Sequence, residues 1–535
     1  MPDQNSATKP FGLGFWFLVA GVPLVAVDVS IMDVLLPDIV RQLNISVADA
    51  SLVDAVTVTA AGALMVPVGK LADRYGARHL LLAGLIILIG GSLTTGLATG
   101  LGVLIAGRIA QGAAFAMVLT TVIAMLNRDY PQGASRARAF ALYFAVAVGA
   151  LGLAPLVGAL LGEYASWRWA FLANAPLAAV VTVGNYRLTP KDPAIESRRS
   201  FDGPGSLLLV VALGLILFGV QQGSRYGWVR SRDGIELFGR AWTPALSPTP
   251  VLLGLGVVLL IAFMLLERWR SKQQIDIVLN TRLFQVRSFV WGSLALALAA
   301  SASMGALLVV SLYAEYILDK GSIAAGLMVA PLGLAVFVTG TVRARLARFS
   351  ARTIGMISVG VQLIAVAILI AAFSVRGFPL IVGSAMFLLG VFMIAGMSAM
   401  TSLVLADVPA QLSGEAAGIQ TSVRFLICGF AMVVITILLI SVTAFQVQKL
   451  SLTGLSAPDR TSLDAVERLT RPAVFRGLAD TSKPAQDREV ERYNETLRSI
   501  QQALDEGIRA AAIVAVLMLS TGFVAAARLP VQSPS

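Results

Sequence analysis

Stretches of about twenty consecutive, mostly apolar residues dominate this chain, at 13–36, 51–69, 79–98, 101–126, 137–161, 168–187, 204–222, 249–267, 288–313, 322–342, 353–374, 378–405, 414–443 and 508–527. About 20 helical residues cross a hydrocarbon core of about 30 Å, and inside lipid every backbone polar group must find its partner within the segment or a closed barrel. The expected fold is therefore an all-α polytopic membrane protein with fourteen transmembrane helices. Of 535 residues, 57% are hydrophobic and 13% charged, which leaves too little polar surface for a soluble chain of this size. The first apolar run is too long for the core of a cleaved signal peptide and lacks a small-residue cleavage site, so it reads as the first span.

The formal net charge is +11. An even number of spans puts both termini on one side, and the lysines and arginines gather there: Lys9; Lys70, Arg74 and Arg78; Arg128, Arg136 and Arg138; Arg187, Lys191, Arg198 and Arg199; Arg268, Arg270, Lys272, Arg282 and Arg287; Arg343, Arg345, Arg348 and Arg352; Arg528. By the positive-inside rule this face is cytoplasmic, which implies a multi-pass protein of the inner, cytoplasmic cell membrane. The basic excess needs no nucleic-acid partner. Connections 222–248 and 444–507, on the other face, are exceptions to the charge bias, and long loops translocate largely regardless of charge. Within the second, "LDAVERLT" and "DREVERYNETLRSIQQALDEG" have the spacing of a surface helical pair.

With one cysteine, Cys428, and one histidine, His79, the chain has no intrachain disulfide, thiolate cluster or histidine metal site to build. It also has no phosphate loop, no His-Glu-x-x-His and no nucleophile elbow. An enzyme is not expected, nor is a cofactor. Transport driven by an ion gradient is.

Charged side chains inside spans cost about 2.5 to 3.5 kcal/mol at the centre of a helix on insertion scales, and they mark pathways by default. Asp28, Asp33, Arg108 and Arg424 lie within spans. A carboxylate at Asp28 that binds either a proton or a cation would exchange one for the other with no covalent step, and Arg108 would tune it. Asp33 follows Asp28 by about 140° around the helix, at ~100° per residue. Two readings of Asp33 stay open: it borders a central cavity and favours cationic ligands, or it pairs with a neighbouring helix. Asp54 and Glu415, near span ends, read as silent pairs or interfacial groups. Aromatic and methionine side chains such as Trp16, Phe115, Met117, Tyr143, Trp291, Met304, Phe392 and Met397 suit amphipathic ligands, although core packing explains most of them equally well.

Between the second and third spans lies "GKLADRYGAR". Gly69 permits close helix approach, and Asp73 can accept from helix N-terminal amides or pair with Arg74 or Arg78. Gly69, Leu71, Ala72, Asp73, Arg74, Gly76 and Arg78 resemble the loop signature of the major facilitator superfamily. In that family the loop is a cytoplasmic latch. "RFSAR" at 348–352 resembles a degenerate copy of "RYGAR", in the place a second six-helix half would put it if spans seven and eight are inserted. Six, two and six spans resemble the fourteen-span drug:proton antiporter branch. That layout implies a first half over 1–190, an inserted pair over 191–270 and a second half over 271–535.

"VDVSIMDVLLP" is similar to the first-helix motif of that branch, with Asp28 at the family acid and Asp33 where asparagine is usual. "GRIAQGAAFAM" resembles its fourth-helix motif through Arg108, Gln111 and Gly112. "GALGLAPLVGALLGEYASWRWAFLANAP" looks like the antiporter motif, through Gly149, Gly152, Pro155 and Gly158, followed by the start of the sixth helix. Ala154 and Ala159 stand where the family prefers glycine. Arg424 in "GIQTSVRFLICG" resembles the arginine of the penultimate span. The resemblance implies a proton-coupled secondary antiporter that exports hydrophobic or cationic compounds by alternating access, powered by the proton gradient. Its partners would be a small hydrophobic or cationic substrate, protons and the bilayer, in a monomer. Export of an endogenous lipid or metabolite is the alternative, with nutrient uptake or a receptor role behind it.

Overall fold

The computed structural model describes residues 11–45, 47–130, 134–192, 202–231, 236–237, 240–273, 281–314, 321–346, 349–374, 379–409, 412–449 and 486–529. Helices follow one another as α1 (Leu13–Leu43), α2 (Val47–Tyr75), α3 (Ala77–Gly96), α4 (Leu101–Asp129), α5 (Ala134–Tyr164), α6 (Trp167–Leu172), α7 (Asn174–Leu188), α8 (Gly203–Tyr226), α9 (Pro248–Lys272), α10 (Arg287–Leu312), α11 (Gly321–Leu334), α12 (Val336–Leu346), α13 (Ala351–Ser374), α14 (Pro379–Val404), α15 (Ser413–Lys449) and α16 (Gln486–Ala527). Among the described residues, thirteen helices are long and apolar enough to span a bilayer. The sixth expected span, 168–187, is present as α6 and α7, each too short alone. Pro176 accounts for the split: it has no N–H for the carbonyl of Leu172 four residues back, and in an unbroken helix its ring would crowd that carbonyl. The only strands among the described residues form a two-residue-per-strand hairpin, Glu236–Leu237 with Arg240–Ala241, between α8 and α9.

α2, α4 and α1 pack with α3, α5 and α7 on one side, and α10, α14 and α15 with α11, α13 and α16 on the other. The seam between these groups is made by α5 against α11 and α14, and by α15 against α2 and α4. α8 lies against α2 and α15, while α9 packs mainly on α8 and leaves Val258, Met264 and Leu265 exposed to the lipid. A carboxylate at Asp202 caps α8, accepting from Gly205 at 2.8 Å, and also pairs with Arg270 at the end of α9, which closes this helical hairpin.

The last helix departs from the sequence reading. Residues 486–507 form no separate surface helix; they run unbroken into the final span as the 42-residue α16. Hydropathy marks where lipid begins, whereas a helix continues wherever nothing breaks its ladder. The segment holds no proline, and Gly507, its weakest helix former, costs about 1 kcal/mol. "LDAVERLT" lies outside the described residues.

Candidate functional site

α1 carries Asp28 into the interior of the first group, where α4 brings Arg108 and Gln111 one turn apart on the same face. All three are buried, and Arg108 is 0% exposed. The Arg108 guanidinium donates to the Asp28 carboxylate at 3.2 Å and to the Asp28 carbonyl at 3.2 Å. Gln111 donates to the other carboxylate oxygen at 2.6 Å, while its own carbonyl accepts from Thr95 at 3.0 Å and Arg108 at 3.3 Å. Asn174, at the start of α7, completes the shell around Asp28. These helices approach closely because Gly91 and Gly107 face each other between α3 and α4, and Gly112 lies against the Thr57 backbone of α2.

Asp54 of α2 reaches the same guanidinium, at 3.7 Å from Nη2. The sequence reads Asp54 as a silent pair or an interfacial group, and on α2 it is paired and part-exposed, at 32%. Two carboxylates thus face one guanidinium, so the cluster carries one surplus negative charge when both are ionised. A proton or a bound cation would neutralise it, and the part-exposed Asp54 leaves the cluster open to one. Asp33 lies one turn beyond on α1, and its side chain is outside the described residues.

A second constellation sits at the basic face. The Asp73 carboxylate accepts the backbone N–H groups of Gly414 and Glu415, each at 2.8 Å. These are free donors of the first turn of α15, where the helix dipole also favours an anion. Of the partners open to Asp73 in the sequence, helix N-terminal amides are the ones found, and they belong to the opposite side of the seam. Lys70 pairs with the buried Glu415 at 3.3 Å, Asn127 donates to Ser413 at 2.8 Å, and Ser422 donates to the Gly62 carbonyl at 3.1 Å. Gly69 lies directly against Gly414, where a side chain would collide with backbone. The basic face is closed along this line.

Arg74 stacks over the Tyr75 ring at 5.0 Å, away from Asp73. Arg78 turns to the Tyr186 carbonyl and ring, and its backbone N–H donates to Asp192 at 3.1 Å. Asp192 also holds Arg128 at 2.8 Å. This carboxylate caps α3 and carries no motif that singles it out. Gly76 turns the chain at φ +95°, and a Cβ there would meet Asp192.

In α5, Gly149 and Gly152 face α11, where Gly333 returns the close approach, whereas Gly158 packs on Ile31 of α1. Pro155 deprives the Leu151 carbonyl of its helical donor, and the Ser30 hydroxyl of α1 reaches that carbonyl at 3.5 Å. Arg424, half-buried in α15, extends across the seam to the Tyr143 hydroxyl of α5. An apolar cavity of about 1070 Å³ opens between α11, α13 and α14, lined by Leu327, Pro331, Leu380 and Phe387.

Spans and seam define a multi-pass helical membrane protein with a charged cluster inside one half. The family model of the Major Facilitator Superfamily matches residues 18–432, and the chain belongs to that superfamily. It is 27% identical to the multidrug resistance protein Stp of Mycobacterium tuberculosis over 76% of this chain and 71% of Stp. It is 30% identical to the cephamycin export protein CmcT of Amycolatopsis lactamdurans over 59% of this chain and 62% of that protein, under two thirds of its length. The crystal structure of the human organic anion transporter MFSD10 (TETRAN) shares the fold at a TM-score of 0.57 and 13% identity, covering 96% of this chain and 99% of that one.

Proposed function

We propose that this protein is a proton-coupled antiporter of the cell membrane that exports hydrophobic or cationic toxic compounds by alternating access. Its basic face, with both termini, lies in the cytoplasm. The observation that carries the reading is the cluster of the buried Asp28 and the part-exposed Asp54 on the single guanidinium of Arg108, held by Gln111. Its surplus negative charge needs one cation at a time, either a proton or the substrate. Competition for that charge couples the two fluxes. Kinship with a multidrug resistance protein and a cephamycin exporter supports outward movement of foreign or toxic compounds.

Alternating access requires a contact that forms on one side and breaks on the other. Asp73, bound to the α15 amides, serves as the latch of the closed cytoplasmic side, with Gly69 and Gly76 shaping its loop and Arg74 and Arg78 anchoring it. Gly149, Gly152, Pro155 and Gly158 give α5 the close, bendable contact along which the seam rocks. Arg424 and Asp33 border the substrate path in this reading. The protein acts as a monomer and uses the proton gradient, with no cofactor.

The test is ethidium transport by the reconstituted full chain in vesicles with an imposed pH gradient. The native protein is expected to move ethidium against its gradient and to stop when the pH gradient is dissipated, whereas Asp28→Asn loses coupled transport at least tenfold while remaining folded. Movement indifferent to the pH gradient would overturn the coupling.

A further inference from the structure

Arg108 and Arg424 are two arginines inside the same membrane domain with opposite surroundings. Arg108 is sealed and shared by two carboxylates. Arg424 is half-buried, about 16 Å along α15 from Ser413 at 1.5 Å per residue, which places it near mid-membrane. Among the described residues no carboxylate lies within salt-bridge distance of it. Its partner is the neutral Tyr143 hydroxyl, across the seam. The next residue, Phe425, packs edge to face on Phe115 with ring centres 5.3 Å apart, and one turn along α15 Cys428 accepts a 3.2 Å hydrogen bond from Ser301.

A guanidinium inside a bilayer with no fixed anion among the described residues is costly, and intramembrane charges of this kind mark a water-filled path or a mobile counter-charge. Its planar fork matches a carboxylate or sulfonate in a bidentate manner. Tyr143 supplies a further donor, and the aromatic pair an apolar wall. We infer that Arg424 and Tyr143 form a seam subsite for the anionic group of an amphipathic substrate, so that the exporter takes zwitterionic and anionic amphiphiles as well as cations. This extends the exporter reading above and rests on it. Because its two groups come from opposite sides of the seam, the subsite is complete only while the halves are together, and rocking them apart would release the anion.

The experiment uses a matched pair of dansyl probes, a carboxylate and its primary amide, identical but for the charge. Binding is read from dansyl fluorescence on the purified full chain, and ethidium transport is measured alongside in vesicles. The native protein is expected to bind the carboxylate at least tenfold more tightly than the amide. Arg424→Gln is expected to bring that preference within twofold, Arg424→Lys to keep part of it, and Tyr143→Phe to lower it several-fold in a background where Arg424 is intact. A native protein without a carboxylate preference, or one retained in Arg424→Gln, overturns the inference; so does a site that chloride fills while the two probes bind equally. Native protein that drives ethidium but shows no preference refutes this inference alone, whereas a carboxylate preference without gradient-driven ethidium transport refutes the exporter reading alone.

Discussion

Replacing Asp73 by asparagine changes one atom type at the point where the two sides of the seam are tied. The carboxylate accepts two backbone N–H groups at 2.8 Å from the first turn of α15. Asparagine can accept one of them through its amide oxygen, carries no charge for the helix dipole and turns an NH2 toward the second donor. A hydrogen bond to a charged group contributes about 1.5–3 kcal/mol net, and a partly buried charge at a helix terminus up to about 2 kcal/mol. Allowing for the bond that remains, the closed state should lose about 2 kcal/mol relative to the open one, a shift of about 30-fold in their ratio. The assay is electron–electron distance measurement between spin labels at Tyr75 and Arg345, both exposed on the basic face, in a Cys428→Ser background that removes the single cysteine. A closed-to-open ratio that stays within threefold of the unsubstituted double-labelled protein would refute the reasoning.

Other perturbations follow from the same geometry. Arg108→Leu leaves the buried Asp28 carboxylate, and the part-exposed Asp54 beside it, without a cation, and breaking a buried pair costs about 3–5 kcal/mol; a marked fall in detergent melting temperature is expected, larger than for Arg108→Lys. Gly76→Ala places a side chain at φ +95° and into the Asp192 carboxylate, which should destabilise by about 1–3 kcal/mol in a denaturation series. Asp192→Ala removes the cap of α3 and the partner of Arg128, for a loss of about 1 kcal/mol from the cap alone, visible as faster amide exchange at the start of α3. Gly152→Leu drives a side chain into the Gly333 backbone; α5 and α11 must separate, and both melting temperature and transport rate are expected to fall.

Most of the fold was legible in the sequence because the bilayer reduces it to length and polarity. Even the split sixth span follows from one proline, Pro176. The final helix was less legible: the charged residues of 486–507 mark the end of lipid contact but place no break in the backbone. At the candidate site, Asp28, Arg108 and Gln111 stand out because charge and amide groups are rare in spans. That Asp54 joins them depends on how α2 is rotated against α4, which hydropathy leaves open. The partners of Asp73 are backbone amides 341 and 342 residues away, and backbone groups carry no signature of their own. Asp192 escaped notice for the complementary reason, since an isolated aspartate after a span resembles any solvated charge until three groups are seen converging on it.

The central claim is that a cation and a proton compete for the Asp28 cluster. The most direct measurement is proton release when ethidium is added to the purified protein in weakly buffered detergent solution. About one proton per bound cation is expected from the native chain, because the cluster has one surplus charge to neutralise. No release is expected from Asp28→Asn. Equal release from both proteins, or cation binding by the native chain with no release at all, would contradict it.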